Sequence, residues 1–187
     1  MGIITIFINE MGDSMRKYVI LVISILALVV FASGCTSETQ NKTYNASGVY
    51  FNYPDAWSEL SSDQLNLTSD AASAIVAVSD NSGQTGVLVQ STPSSSQSLT
   101  DFVNTNKASI KKMGYTILSE NTTTVNGVKA HQIIFSGSGS SGTDTKQVMT
   151  LFKKNNKIYY IVFNSQPEDF DSQQTNYDMV LKSFKVQ

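Results

Sequence analysis

Asn126-Gly127 constrains this chain more than any other pair of residues in it. The tight turn they favour needs positive φ at both positions, which Asn tolerates and Gly adopts freely, and its twist matches that of two antiparallel strands. Runs suited to such strands stand on either side, residues 115–125 and 128–136. A chain that must lay these runs side by side contains an antiparallel sheet.

A second pair of runs, 147–153 and 157–164, flanks a turn at Lys154-Asn155-Asn156. Between the two pairs, Gly137-Ser138-Gly139-Ser140-Ser141-Gly142 reads as a hairpin connection. Upstream, Val49, Phe51 and Tyr53 alternate with Tyr50 and Asn52, the period of a strand with one buried face. Pro54 ends that strand by removing a backbone donor, and Asp55-Ala56-Trp57 turns the only tryptophan toward the core. Residues 74–78 and 86–90 form two more strands around the turn residues Asp80-Asn81-Ser82-Gly83.

Two segments carry helical spacing instead. Leu99, Phe102, Val103, Asn106, Ile110 and Met113 follow a cap at Ser98 or Thr100, and Gly114 ends the run. Lys107, Lys111 and Lys112 lie late in it, where the helix dipole favours cations. The second helix opens at Pro167-Glu168-Asp169 and carries the stripe Tyr177, Val180, Leu181 and Phe184. The order is strands, helix, four strands in hairpins, helix: an α+β class, with an antiparallel β-sheet flanked by helices.

The N-terminal part obeys different rules. Arg16 and Lys17 precede a 15-residue apolar run, Tyr18 to Ala32, and then Ser33-Gly34-Cys35. A basic start, an apolar core and small residues before a cut describe a signal peptide. A membrane-spanning helix needs about 20 apolar residues, so the run is short for a permanent span. Ala32-Ser33-Gly34-Cys35 resembles the lipobox of bacterial and archaeal lipoproteins, with Ala32 where leucine is usual. The resemblance implies cleavage between Gly34 and Cys35 and a lipid on the Cys35 thiol. Cys35 is also the sole cysteine, so no disulfide can close within the chain. Residues 36–47, TSETQNKTYNAS, hold almost no apolar surface to offset their ordering entropy. The expected organisation is an extension over 1–14 ahead of a natural start at Met15, a signal peptide over 15–34, a lipidated cysteine and polar tether over 35–47, and a globular domain over 48–187.

Three stretches of that domain resemble the PsbP family, named for an extrinsic photosystem II protein. They are Gly48 to Trp57 (GVYFNYPDAW), Val125 to Ala130 (VNGVKA) and Tyr177 to Val186 (YDMVLKSFKV). The resemblance implies an α/β/α sandwich around an antiparallel sheet, with a final strand after the last helix. It implies no single activity, since the family includes photosystem subunits, a nuclear-transport factor and many prokaryotic lipoproteins. No metal site carries over, and a photosynthetic role has no support.

The chemistry-bearing residues are sparse. His131 is the sole histidine, so it completes no histidine metal cluster, and it reads as a strand residue in KAHQIIF. Glu168, Asp169 and Asp171 form the densest acidic group; they read as helix-start acids, or as the carboxylates of an envelope-acting hydrolase. The 137–142 loop lacks the lysine of a phosphate cradle. Tyr50, Tyr53, Trp57, Tyr159, Tyr160 and Phe163 read as core, or as the wall of a ligand groove. Asn-x-Ser/Thr triplets start at Asn41, Asn45, Asn66 and Asn121 and are weak glycosylation candidates; the composition alone yields about three by chance.

Function is expected to follow location. The formal net charge of −2 leaves no basic excess for nucleic acid. Charged residues make up 15% of the chain, against about 25% in typical soluble domains, and uncharged polar residues fill the surface. The expectation is an extracytoplasmic lipoprotein on the outer face of the cell membrane, with no cofactor. Its folded part would be a non-enzymatic binding or accessory domain for an unidentified envelope protein or small ligand; a hydrolase near Glu168 or a structural subunit of an envelope complex are the alternatives.

Overall fold

In the computed structural model, Asn126 and Gly127 both take positive φ, 50° and 74°, and the turn joins β6 (Thr116–Val125) to β7 (Val128–Gly137). The structure describes residues 41–61, 73–94, 97–138 and 142–187. The signal segment, Gly34, Cys35 and Asn66 lie outside the described residues. No helix among those described is long and apolar enough to cross a membrane.

The described chain runs β1 (Asn41–Ala46), β2 (Val49–Pro54), β3 (Ser58–Glu59), β4 (Ser73–Ser79), β5 (Gly86–Pro93), α1 (Leu99–Lys112), β6, β7, β8 (Thr145–Lys154), β9 (Lys157–Ser165), α2 (Phe170–Ser183) and β10 (Lys185–Val186). Seven strands form one sheet in the order β3-β4-β5-β9-β8-β7-β6, with every neighbouring pair antiparallel. β1, β2 and β10 form a second antiparallel sheet.

Two expectations need correction. The polar tether was expected to run to Ser47, yet Asn41–Ala46 is a strand paired along its whole length with β2. Only Tyr44 of that strand is buried, and its ring stacks on Phe51 at 5.4 Å. One aromatic anchor plus a full ladder of backbone hydrogen bonds orders a segment whose composition alone predicts disorder. The second correction is that β2 leaves the main sheet. Alternation told which face of β2 is buried, but nothing in a period of two names the partner strand.

β9 runs through the middle of the main sheet, and its alternate residues serve two separate clusters. Tyr159, Ile161 and Phe163 pack with Phe51 of β2 and with Tyr177, Val180 and Phe184. Ile158 and Tyr160 point the other way and pack with Val103 and Ile110 of α1 and with Ile133 of β7. Each helix therefore belongs to a different cluster.

The helix ends follow local chemistry. Ser98 caps α1 in a reciprocal box: its Oγ accepts from the Asp101 N–H at 3.2 Å, while Asp101 Oδ2 accepts from the Ser98 N–H at 3.1 Å. Asp169 precedes α2 without a side-chain cap bond. Phe184 sits one residue past α2 in extended conformation, buried against the rings of Phe51 and Phe152 at 5.9 and 5.8 Å.

Candidate functional site

The tight turn fixes the register of the β6–β7 hairpin, setting Thr122 opposite His131 and Glu120 opposite Ile133. Glu120 is then one diagonal step from His131, within reach of an imidazole. His131 Nε2 lies 3.0 Å from Glu120 Oε2. α1 crosses this face and brings Lys107, whose Nζ lies 2.5 Å from Glu120 Oε1. One carboxylate thus joins three elements. All three side chains are partly exposed. The Lys107 ammonium first, and then the His131 ring, hydrogen-bond the carboxylate and hold the Glu120 pKa below the usual range.

Beside this cluster lies a groove of about 360 Å³ between α1 and the hairpin. Leu99 and Val103 supply its apolar side chains, and Thr100, Asn104 and Thr122 its uncharged polar groups. Glu120, Lys129 and His131 supply charge and a titratable ring. No group of three or more His, Cys, Asp or Glu able to hold a metal ion occurs among the described residues.

His131 is therefore more than a plain strand residue: it is the β7 member of an inter-element network. The acids near α2 behave differently. Glu168 and Asp169 are exposed, and Asp171 is exposed beside Lys146 at 3.3 Å. Exposure at the start of α2 is what helix-start acids show. Of the two readings of the aromatic residues, core and groove wall, the structure favours the core. Tyr53, Trp57, Tyr159, Tyr160 and Phe163 are buried core residues, and only Tyr50 is half-buried. Their rings are spent on packing, as in the Phe163–Tyr177 stack at 5.1 Å.

The glycine-rich connection joins β7 to β8 as a hairpin, with Gly137 opposite Thr145; residues 139–141 lie outside those described. Asn41, Asn45 and Asn121 are exposed on strands, and Asn45 Oδ1 accepts from Gln187 Nε2 at 2.9 Å. Sequence reasoning missed Lys107, Glu120 and Lys129. The turn carried the signal for Glu120, because counting outward from Asn126-Gly127 puts it diagonal to His131.

Comparisons with known proteins bear on the fold that carries these residues. A family model described as PsbP-like protein matches residues 19–186. The chain is similar in structure to cyanobacterial PsbP from Synechocystis sp. PCC 6803, with a TM-score of 0.60 and 14% identity over 82% of this chain and 96% of that one. It is also similar to a protein from Bacteroides thetaiotaomicron, with a TM-score of 0.55 and 10% identity over 79% of this chain and 49% of that one. The Ran-binding protein Mog1p of Saccharomyces cerevisiae gives a TM-score of 0.51 and 12% identity over 79% of this chain and 96% of that one. At these identities the likeness is one of fold. No curated protein matches the chain by sequence.

Proposed function

Given that this chain belongs to the PsbP-like protein family, we propose that it is an extracytoplasmic lipoprotein, anchored by lipid on Cys35, whose folded part is a non-enzymatic binding or accessory domain. The observation that carries the anchoring is the position of the only cysteine, directly after Ala32-Ser33-Gly34 at the end of the apolar run. The family match takes in that run from its second residue onward, and Cys35. One acyl chain holds a protein at a membrane only reversibly and two hold it stably, so a diacylglyceryl group on this thiol replaces a spanning helix.

The domain's part in the proposal comes from its geometry. The two clusters on opposite sides of β9, each with one helix, suit an α/β/α sandwich. The groove beside Glu120 is concave, partly apolar and rimmed by polar groups, as small-ligand sites are. His131 meets a carboxylate that Lys107 already engages, an arrangement suited to holding charge in place.

The test is mass spectrometry of the membrane fraction from cells expressing the full chain. The expected mature N-terminus is Cys35 carrying a lipid mass, and Cys35→Ser is expected to leave the membrane fraction. An intact leader with a bare thiol overturns the anchoring.

A further inference from the structure

We propose that the groove between α1 and the β6–β7 hairpin binds a small organic monoanion, an apolar body bearing a single carboxylate. This inference rests on the binding-domain reading and adds the chemistry of the ligand.

Size, lining and charge each narrow the choice. A groove of about 360 Å³ falls at the lower end of small-molecule sites. It takes a compact ligand and excludes a folded partner. Leu99 and Val103 offer contact to an apolar body and nothing to a fully solvated ion.

Charge then decides the sign. Glu120 would repel an anion if it stood alone, but Lys107 neutralises it at 2.5 Å. Lys129 lines the same groove and has no ion pair among the described residues. It lies two residues from His131 on β7, so both side chains leave the same face of the sheet. The groove thus holds one uncompensated positive charge. A cation would meet Lys129 and a carboxylate already engaged. A dianion would find half the charge that it needs. A monoanion is matched, and the Thr100 and Thr122 hydroxyls and the Asn104 amide can donate to its remaining lone pairs.

Benzoate and benzamide test this, because they share a ring and shape and differ in charge. The protein is the ¹⁵N-labelled full-length chain in lipid nanodiscs, read by amide shift changes. Benzoate is expected to shift amides within residues 99–104, 120–122 and 129–131, and benzamide to bind about tenfold more weakly, the scale of one charge-assisted contact. Lys129→Gln, an exposed strand position, is expected to bring benzoate down to the benzamide level. Asn104→Trp, exposed on the α1 wall, is expected to fill the groove and remove both. Equal binding of the two probes, benzoate binding unchanged by Lys129→Gln, shifts confined to other surfaces, or no shift up to the solubility limit would each overturn the proposal. Lipidation is read separately by mass, so either idea can fail without the other.

Discussion

Tyr177 is the largest of the fully buried side chains among the described residues, and its one polar atom is satisfied. Its hydroxyl hydrogen-bonds Thr150 Oγ1 on β8, which also accepts from Gln132 Nε2 at 3.1 Å. Burial in the core pushes the Tyr177 pKa well above the usual tyrosine value. The folded state therefore keeps a proton that the unfolded chain releases above about pH 10. This contribution to stability is full below that pH and declines as pH rises further. Tyr177→Phe keeps the ring and leaves Thr150 with Gln132, so a loss of about 1 kcal/mol is expected in urea unfolding at pH 7. The same variant is expected to show a shallower decline above pH 10. Glu120 has the opposite sign. Its lowered pKa adds stability above the ordinary glutamate range, which is lost as pH falls through the folded value. Lys107→Gln is expected to raise the Glu120 pKa, seen in a carboxyl ¹³C NMR titration, and the shift is expected to shrink in high salt. Single residues were unevenly legible in the sequence. His131 stood out as the lone histidine, whereas Glu120 gained meaning only once the hairpin register was counted.

At the scale of elements, Asn126 does two jobs. It adopts the left-handed backbone that the turn requires, and its Oδ1 accepts from the Val186 N–H at 3.0 Å and from Lys154 Nζ. The turn thereby ties β10 and the end of β8 to the hairpin. Asn126→Gly preserves the backbone geometry and deletes both contacts. It is expected to cost about 1–2 kcal/mol in thermal or urea unfolding and to raise amide exchange at Val186. The turn itself was readable from two letters; its side-chain bonds were not, since their partners lie 28 and 60 residues away. The same distinction runs through the other elements. α1 was legible because its cap and stripe are local, with Ser98 where a cap was expected. β1 was not, because five of its six residues are exposed and its order comes from β2. β3 and β10 are two residues each, too short to show any period.

For the whole molecule, the pattern predicted the class and the hairpins but not how they join. β5 pairs with β9 across an intervening helix and three strands, bringing Val89 beside Ile161. Loop closure on that scale depends on global packing, so no local signal records it. The partition into two sheets was hidden for the same reason. One whole-molecule prediction depends on where β1 begins. If Cys35 carries the lipid, six residue steps separate it from the first residue of β1. Fully extended, six steps span about 20 Å. Neutron reflectometry on supported bilayers is expected to find the water layer beneath the domain no thicker than about 20 Å. Ten Gly-Ser residues inserted after Cys35 are expected to thicken it.

Under the proposed anchoring at Cys35, the early start of β1 sets a short leash. A small folded domain is about 30 Å across, more than the gap that such a leash allows. If the proposed lipid on Cys35 is the anchor, no second globular protein fits underneath. A macromolecular neighbour has to arrive from the side or from above, or else rise out of the bilayer itself.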